Sequence, residues 1–394
     1  MLQIPPCSLR EWGGAVYMST ESERLANILR EPLFPCIQCG KCTGGCPISV
    51  ISPHFNIRRL LYETLNSKGE EIAYQKEMIW DCSTCTTCVK RCPKKVDPLD
   101  LIISMRSVLV EDGHLPPKVR DVLKSISVRG NPWNIGQEKR SEWAEGLDIK
   151  SIADAEILYY VCCTTAFDPR LQKIARALTK TLQKAGVNFG TLGNDEVCCG
   201  NEIRRMGDIW SFDALKEMNL GMFGQFPIKQ IITTSPHCYN TFKNEYKELA
   251  IDVKHYTQVV SDLIKKKKLK FSRKLEKKVT YHDPCFLGRQ NQIFEEPRAI
   301  LMSIPGLTFI EMDRARERAL CCEGGGGRMW IEAFEAKERT ATIRVNEALE
   351  LGADILAVAC PFCLLTLEDA VKSGGYEDRI QVLDIMEIVT QVIE

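Results

Sequence analysis

Nineteen cysteines stand in this chain of 394 residues, and all but Cys7 and Cys162 fall into four ordered groups. Two groups are near copies: Cys36, Cys39, Cys42 and Cys46 before Pro47, and Cys82, Cys85, Cys88 and Cys92 before Pro93. The other two are longer. One runs Cys163, then the pair Cys198–Cys199, then Ser235-Pro-His-Cys238; the second runs Cys285, then Cys321–Cys322, then Cys360-Pro-Phe-Cys363. Soft thiolates at such spacing suit iron–sulfur clusters or zinc. Zinc sites usually come as paired C-x2-C knuckles, so four-cysteine runs closed by proline favour iron and sulfur. A secreted disulfide scaffold is the competing use of so much cysteine. The opening residues MLQIPPCSLREWGG contain no basic stretch followed by an apolar one, so they do not resemble a secretory signal. The expectation is a cytoplasmic metalloprotein of an anaerobic setting.

Composition excludes other classes. Lys plus Arg and Asp plus Glu are 52 each, so no net charge points to nucleic acid or an anionic membrane. No run of about 18 apolar residues is present to span a bilayer. There is no G-x-x-x-x-G-K-[ST] loop and no G-x-G-x-x-G after a strand, so nucleotide and flavin sites are not expected on this chain.

The short runs match the bacterial ferredoxin ligand pattern, in which the fourth cysteine serves the other cluster. Three closely spaced thiolates can hold three corners of a cube, but the chain cannot turn back in time to supply the fourth. Cys36, Cys39, Cys42 and Cys92 are thus expected on one 4Fe–4S cubane, and Cys82, Cys85, Cys88 and Cys46 on a second.

The elements that must position these groups change in texture along the chain. ESERLANILRE (21–31), FNIRRLLYETLN (55–66) and DPLDLIISMRSVLVEDG (97–113) read as helices, the last opened by Asp97-Pro98 and stopped by Gly113. From 155 the pattern becomes α/β: EILYYVCC and KQIITTSPHC read as strands ending at cysteines, each followed by a helix. KVTYHDPC and DILAVACPFC repeat the layout, with Cys163 and Cys285 122 residues apart. The expected divisions are an N-terminal extension (1–30), a helical ferredoxin-like unit (31–115), a polar connector (116–154), two α/β repeats (155–264 and 279–394) and a solvated lysine-rich linker (265–278).

The elements VCCTTAFDPR, EVCCGNE and SPHCYNTFKNEY, with HDPCFLGR, CCEGGGGRMW and ACPFCLLTLEDAV, resemble the paired CCG domains of heterodisulfide reductases. With the ferredoxin unit in front, the layout resembles the D subunit, or a fusion of the C and B subunits. The resemblance implies an α-helical ferredoxin domain with two 4Fe–4S clusters followed by two pseudo-repeated α/β CCG domains. It implies that a complete CCG domain binds a noncubane 4Fe–4S cluster through five cysteines and that the clusters reduce a disulfide. Carried over, Cys285, Cys321, Cys322, Cys360 and Cys363 form a complete and reactive set, with Gly324, Gly325, Gly326 and Gly327 letting backbone N–H groups approach the cluster. Glu323 stands where the family has glycine; its negative charge either lowers the cluster's potential or its side chain points to solvent. In the first repeat only Cys163, Cys198, Cys199 and Cys238 match, because Ser235 replaces a cysteine. Four thiolates are the number a cubane needs, so a conventional 4Fe–4S cluster is expected there, the alternatives being a modified noncubane cluster or none. Cys162 is a candidate spare ligand but aligns with a residue before the ligand and is read as outside the set, and Cys7 is read as a free thiol. His237, His282 and Asp283 either orient loops by hydrogen bonding or, for the histidines, deliver protons to a departing thiolate; His282 is the favoured acid.

The implied function is an iron–sulfur subunit of a heterodisulfide-reductase-like complex, fed by a flavoprotein resembling its A subunit and accompanied by other redox subunits. That flavoprotein could bifurcate electrons. The alternatives are a relay for a low-potential acyl-CoA reductase, the iron–sulfur subunit of a glycolate, lactate or glycerol-3-phosphate dehydrogenase, or a cluster scaffold without chemistry of its own.

Overall fold

The computed structural model describes residues 30–66, 77–331, 336 and 338–393. The proposed helix at 21–31 lies almost wholly outside them, as does Cys7. Residues 30–129 contain helices and turns only, among those described. Ile57–Asn66 and Pro98–Glu111 are the two principal helices around the short cysteine runs. Asp97 opens the second by accepting from the N–H groups of Leu99 and Asp100 (2.9 and 3.0 Å), and Pro98 sits where no N–H is needed.

Two parallel sheets follow. β1 (Lys150–Ser151), β2 (Ile157–Tyr160), β3 (Gly190–Thr191), β4 (Gln230–Thr233) and β5 (Asp252–His255) are ordered β1-β3-β2-β4-β5. β6 (Lys278–Tyr281), β7 (Thr308–Phe309), β8 (Ile355–Val358) and β9 (Gln381–Asp384) are ordered β7-β6-β8-β9. Helices cover both faces, so the central strands are continuous apolar runs; all four residues of β8 are buried.

In each sheet the chain goes from the central strand to one side and then returns to the other, which opens a crevice at the strands' carboxyl ends. Every long cysteine motif begins or ends there. Once Tyr159 is set against Tyr281, as the cysteines that follow each strand suggest, the register carries the match to the neighbouring strands. Tyr159 pairs with Ile232 in one sheet and Tyr281 with Ala357 in the other. Counting on from these pairs sets Cys163 against Cys285, Cys162 against Pro284, Ser235 against Cys360 and Cys238 against Cys363.

The same register matches His255 with Asp384, which pair with Thr233 and Val358. Both are N-caps closed by a capping box, with Gln258 and Glu387 respectively. Tyr256 donates to both Asp384 oxygens (2.9 and 3.0 Å), and Arg170 pairs with Glu368 and Glu387, so the halves are locked together. One apolar core runs from Leu33 to Ile393 through all three regions.

His255 is fully buried, its Nδ1 facing the Thr257 hydroxyl (2.8 Å) and its Nε2 facing the Thr234 carbonyl (3.2 Å). Burial depresses its pKa to about 3. The folded protein therefore binds fewer protons here than the unfolded chain once pH falls below the ring's ordinary value. Stability from the neutral ring is complete above that value and is lost on acidification at about 1.4 kcal/mol per pH unit. His255→Asn keeps a capping side chain, and the slope of stability against pH between about pH 6 and 5 is expected to flatten by that amount. An unchanged slope in denaturant titrations would show that His255 is not the responsible group.

The lysines of 265–278 are all exposed, as expected of a solvated segment. Segment 116–154 does more than connect. It holds the helix Pro117–Arg129, supplies β1, and buries Trp143 and Arg140.

Candidate metal centres

In the helical region the two runs cross. Cys36, Cys39, Cys42 and Cys92 line one cavity together with Arg58, Leu61 and Pro93. Cys46 lies with Cys82, Cys85 and Cys88, close enough that neighbouring thiolate charge raises the pKa values of Cys46, Cys82 and Cys88. Burial is the larger cause and pushes Cys46 to about 12 and Cys82 to about 11. The first group reaches the surface: Cys39 is exposed, and Phe34 and Ile37 beside it are 67% and 59% exposed. The second group is sealed.

In the second α/β unit all five expected cysteines come together, linked thiol to thiol in the order Cys285, Cys321, Cys322, Cys363, Cys360. The Cys322 and Cys363 sulfurs are 3.2 Å apart. In the first unit the thiols run Cys163, Cys198, Cys199, Cys238, and then Cys162. The structure thus adds Cys162 to the four that the sequence selected. No disulfide forms among these described residues. Soft thiol donors gathered in groups of four or five are a donor set that fits iron–sulfur clusters.

The sealed helical group touches the second unit. Cys85 packs with Cys321, whose sulfur lies 3.2 Å from the Ser83 hydroxyl. Cys85, Cys285, Phe286 and Cys321 form one small apolar cluster. Arg289 sits over this junction, bonding the Cys85 carbonyl (3.0 Å) and the Ala319 carbonyl (2.6 Å).

The glycine run serves this contact. A Cβ on Gly325 would lie 2.7 Å from the Ser83 carbonyl oxygen, and one on Gly326 2.6 Å from that of Cys82. Gly326 also has φ +66. Gly324 packs on Phe362, Met329 and Thr366. At Gly325 and Gly326 the absent side chains admit the ferredoxin-like backbone. Behind them Arg106, fully buried, donates to the carbonyls of Ile79, Cys82, Arg205 and Gly326 at 2.7 to 3.2 Å, joining all three regions.

After each Cys-Cys pair the backbone turns left-handed, at Gly200 (φ 85) and Glu323 (φ 68), and the N–H there reaches the first sulfur of the pair (3.4 and 3.3 Å). Glu323 does not turn to solvent. Its carboxylate accepts from the Thr340 N–H and hydroxyl (3.1 and 3.2 Å) and pairs with Arg339 (2.6 Å), which neutralises its charge beside the sulfurs and offsets the backbone cost.

His282 takes a bond from Arg344 Nε at Nδ1 (3.2 Å), which leaves Nε2 as the protonated nitrogen facing Cys322. Asp283 holds Arg298 through both oxygens (2.7 and 2.9 Å) and accepts from the Arg316 N–H; its work is to brace the loop. His237 stands between the units. Its ring stacks on Phe286 at 4.1 Å, Nδ1 faces Asn201 and Glu202 (2.9 and 3.1 Å), and the ring bonds Cys360. Burial alone would raise the Cys360 pKa, but bonds from Cys363 and His237 overcome it and hold the thiol at about 6. Glu202 also accepts from the Gly327 N–H (3.0 Å), tying the first unit to the glycine run.

Sequence reasoning missed Arg106, Arg140 and Glu196. Arg140 reaches Cys163 Sγ (3.5 Å) and is ion-paired with the buried Glu196. It lay in a stretch whose polarity resembled that of a linker.

A helical unit with two four-cysteine runs, docked on two cysteine-bearing parallel sheets, defines an iron–sulfur electron-transfer protein. The 4Fe-4S dicluster domain matches residues 32–96, and the cysteine-rich CCG domain matches twice, at 157–243 and 279–368. The chain is 31% identical to the D subunit of the dihydromethanophenazine:CoB–CoM heterodisulfide reductase from Methanosarcina acetivorans, over 95% of this chain and 97% of that one. It belongs to the family of heterodisulfide reductase D subunits. It is also 31% identical over 92% of its length to the EtfAB:quinone oxidoreductase of Syntrophomonas wolfei, but spans only 58% of that longer protein. A crystal structure of a hypothetical protein from Helicobacter pylori shares the fold (TM-score 0.54, 10% identity, covering 95% of this chain and 73% of that one). Among the described residues no helix is long and apolar enough to cross a membrane.

Proposed function

We propose that this chain carries electrons from a flavoprotein partner to a two-electron acceptor at its second CCG domain. Cys36, Cys39, Cys42 and Cys92 hold the outer 4Fe–4S cubane, and Cys46, Cys82, Cys85 and Cys88 the inner one. Cys163, Cys198, Cys199 and Cys238 serve a 4Fe–4S centre in the first CCG domain. Cys285, Cys321, Cys322, Cys360 and Cys363 hold the reactive noncubane cluster. Bound clusters supply one-electron steps over a wide range of potentials.

The observation that carries this reading is the packing of Cys85 with Cys285 and Cys321 in one cluster. Electron tunnelling weakens steeply with distance, so thiols in contact from two ligand sets favour transfer between them. The exposed setting of Cys39 suits the outer site to receive electrons from a partner. For a disulfide acceptor, the S–S bond takes two electrons and breaks, and two protons complete two thiols. His282, with Nε2–H toward Cys322, is placed to donate one of them.

A relay ending at a quinone or another redox protein is the second reading. It is favoured by Ser235, which breaks the symmetry of the two domains, and by the name of the Syntrophomonas relative.

Iron analysis and EPR of anaerobically prepared protein test the proposal. About sixteen irons per chain are expected, with a signal perturbed by added thiol. In Cys285→Ala about four irons and the thiol response are expected to disappear, while one-electron dye reduction persists. About eight irons and no thiol response in the unaltered protein would refute it.

A further inference from the structure

We infer that Cys162 is the fifth cluster ligand of the first CCG domain, supplied from the strand β2 corner in place of the thiol that Ser235 lacks. This rests on the proposal that the first CCG domain holds a cluster at all. It changes the nature of that centre from a four-thiolate to a five-thiolate site.

Three independent features support it. The order of contacts is the first. In the complete domain the last link is Cys363 to Cys360; in the first domain the residue matching Cys363 is Cys238, and its free side is taken by Cys162. Cys162 comes from a different loop yet fills the same place in the ring of thiols.

The second is backbone strain. Cys162 has φ 78 and ψ 141, a region that residues with a Cβ avoid at a cost of order 1–3 kcal/mol. Glycine would adopt it freely, and the matching residue in the other half is Pro284, which cannot adopt it at all. A strained cysteine is held in place by a dedicated device. The Glu196 carboxylate accepts from the N–H groups of both Val161 and Cys162 (2.8 and 3.0 Å), and Arg140 clamps that carboxylate while touching Cys163. The strain turns the Cys162 side chain toward Cys238.

The third is what became of Ser235. Its hydroxyl accepts from the His237 N–H (3.3 Å) as the cap of the helix Pro236–Asn244, and is spent on that role. The serine is thus a cap, leaving the fifth corner to another donor.

The test uses the full chain, cluster-loaded under anaerobic conditions, and reads iron content with EPR and Mössbauer spectra. Cys163→Ala identifies the first-domain centre by the loss of about four irons and one spectral component. Cys162→Gly removes the thiol and relieves the backbone, so folding is preserved. The inference predicts that this component shifts or is lost in Cys162→Gly, and that Cys162→Gly combined with Ser235→Cys returns it. Superimposable spectra for Cys162→Gly and the unaltered chain would overturn the ligand role of Cys162. A Cys163→Ala protein with unchanged iron and spectra would instead overturn the cluster on which the inference rests.

Discussion

Arg106→Met is expected to lower stability by about 4 kcal/mol or more and to loosen the ferredoxin-like unit from the CCG pair. The guanidinium makes five bonds to four carbonyls drawn from the three regions. Burial brings its pKa down to about 10, so it remains charged at neutral pH. The Ile79 carbonyl keeps the Cys82 N–H (3.3 Å), but those of Cys82, Arg205 and Gly326 lose their donor; each buried carbonyl so left costs about 1–3 kcal/mol, and three such losses outweigh the gain from removing a buried charge. Met fills the aliphatic volume and stays against Trp80, whose ring now lies 5.1 Å beneath the guanidinium, so the variant isolates the polar loss. Anaerobic denaturant titration checks the prediction. A separate early transition for the helical unit is expected; an unshifted midpoint would mean that the glycine contact alone holds the docking.

Glu196→Ala is expected to cost about 3–5 kcal/mol and to strip the first CCG domain of its iron. It leaves the Arg140 guanidinium buried without its partner, which is the costly way to break a buried pair. It also orphans the N–H groups of Val161 and Cys162, which set the corner from which two thiols project. Glu196→Gln can still accept at one of those groups and is expected to lose less. Iron content and melting temperature in the two variants provide the check. Full iron in Glu196→Ala would show that the thiols, not the corner, organise this site.

Arg106 and Arg140 show where the sequence was readable and where it was not. The cysteine spacing displayed the crossed pairing of the short runs, because proline and short intervals restrict what a chain can do locally. Strands ending at cysteines were legible from their apolar runs, and once Cys163 is set against Cys285 the register sets Ser235 against Cys360. Arg106 lay inside an apparently ordinary helix, and Arg140 inside a polar stretch; both act on residues far off in sequence. Glu323 and Cys162 occupy positive-φ turns that their residue types do not announce. The glycines had a visible reason to be small, but the neighbour that requires it, the backbone of Cys82 and Ser83, lies in another domain.

The central claim is that the inner ferredoxin cluster and the second CCG cluster form one continuous path through Cys85 and Cys321. EPR of the fully loaded chain during stepwise reduction tests it most directly. When both centres are paramagnetic, their signals are predicted to broaden and split one another, and Cys285→Ala to restore a simple ferredoxin line. A spectrum that is the plain sum of isolated centres would contradict the account.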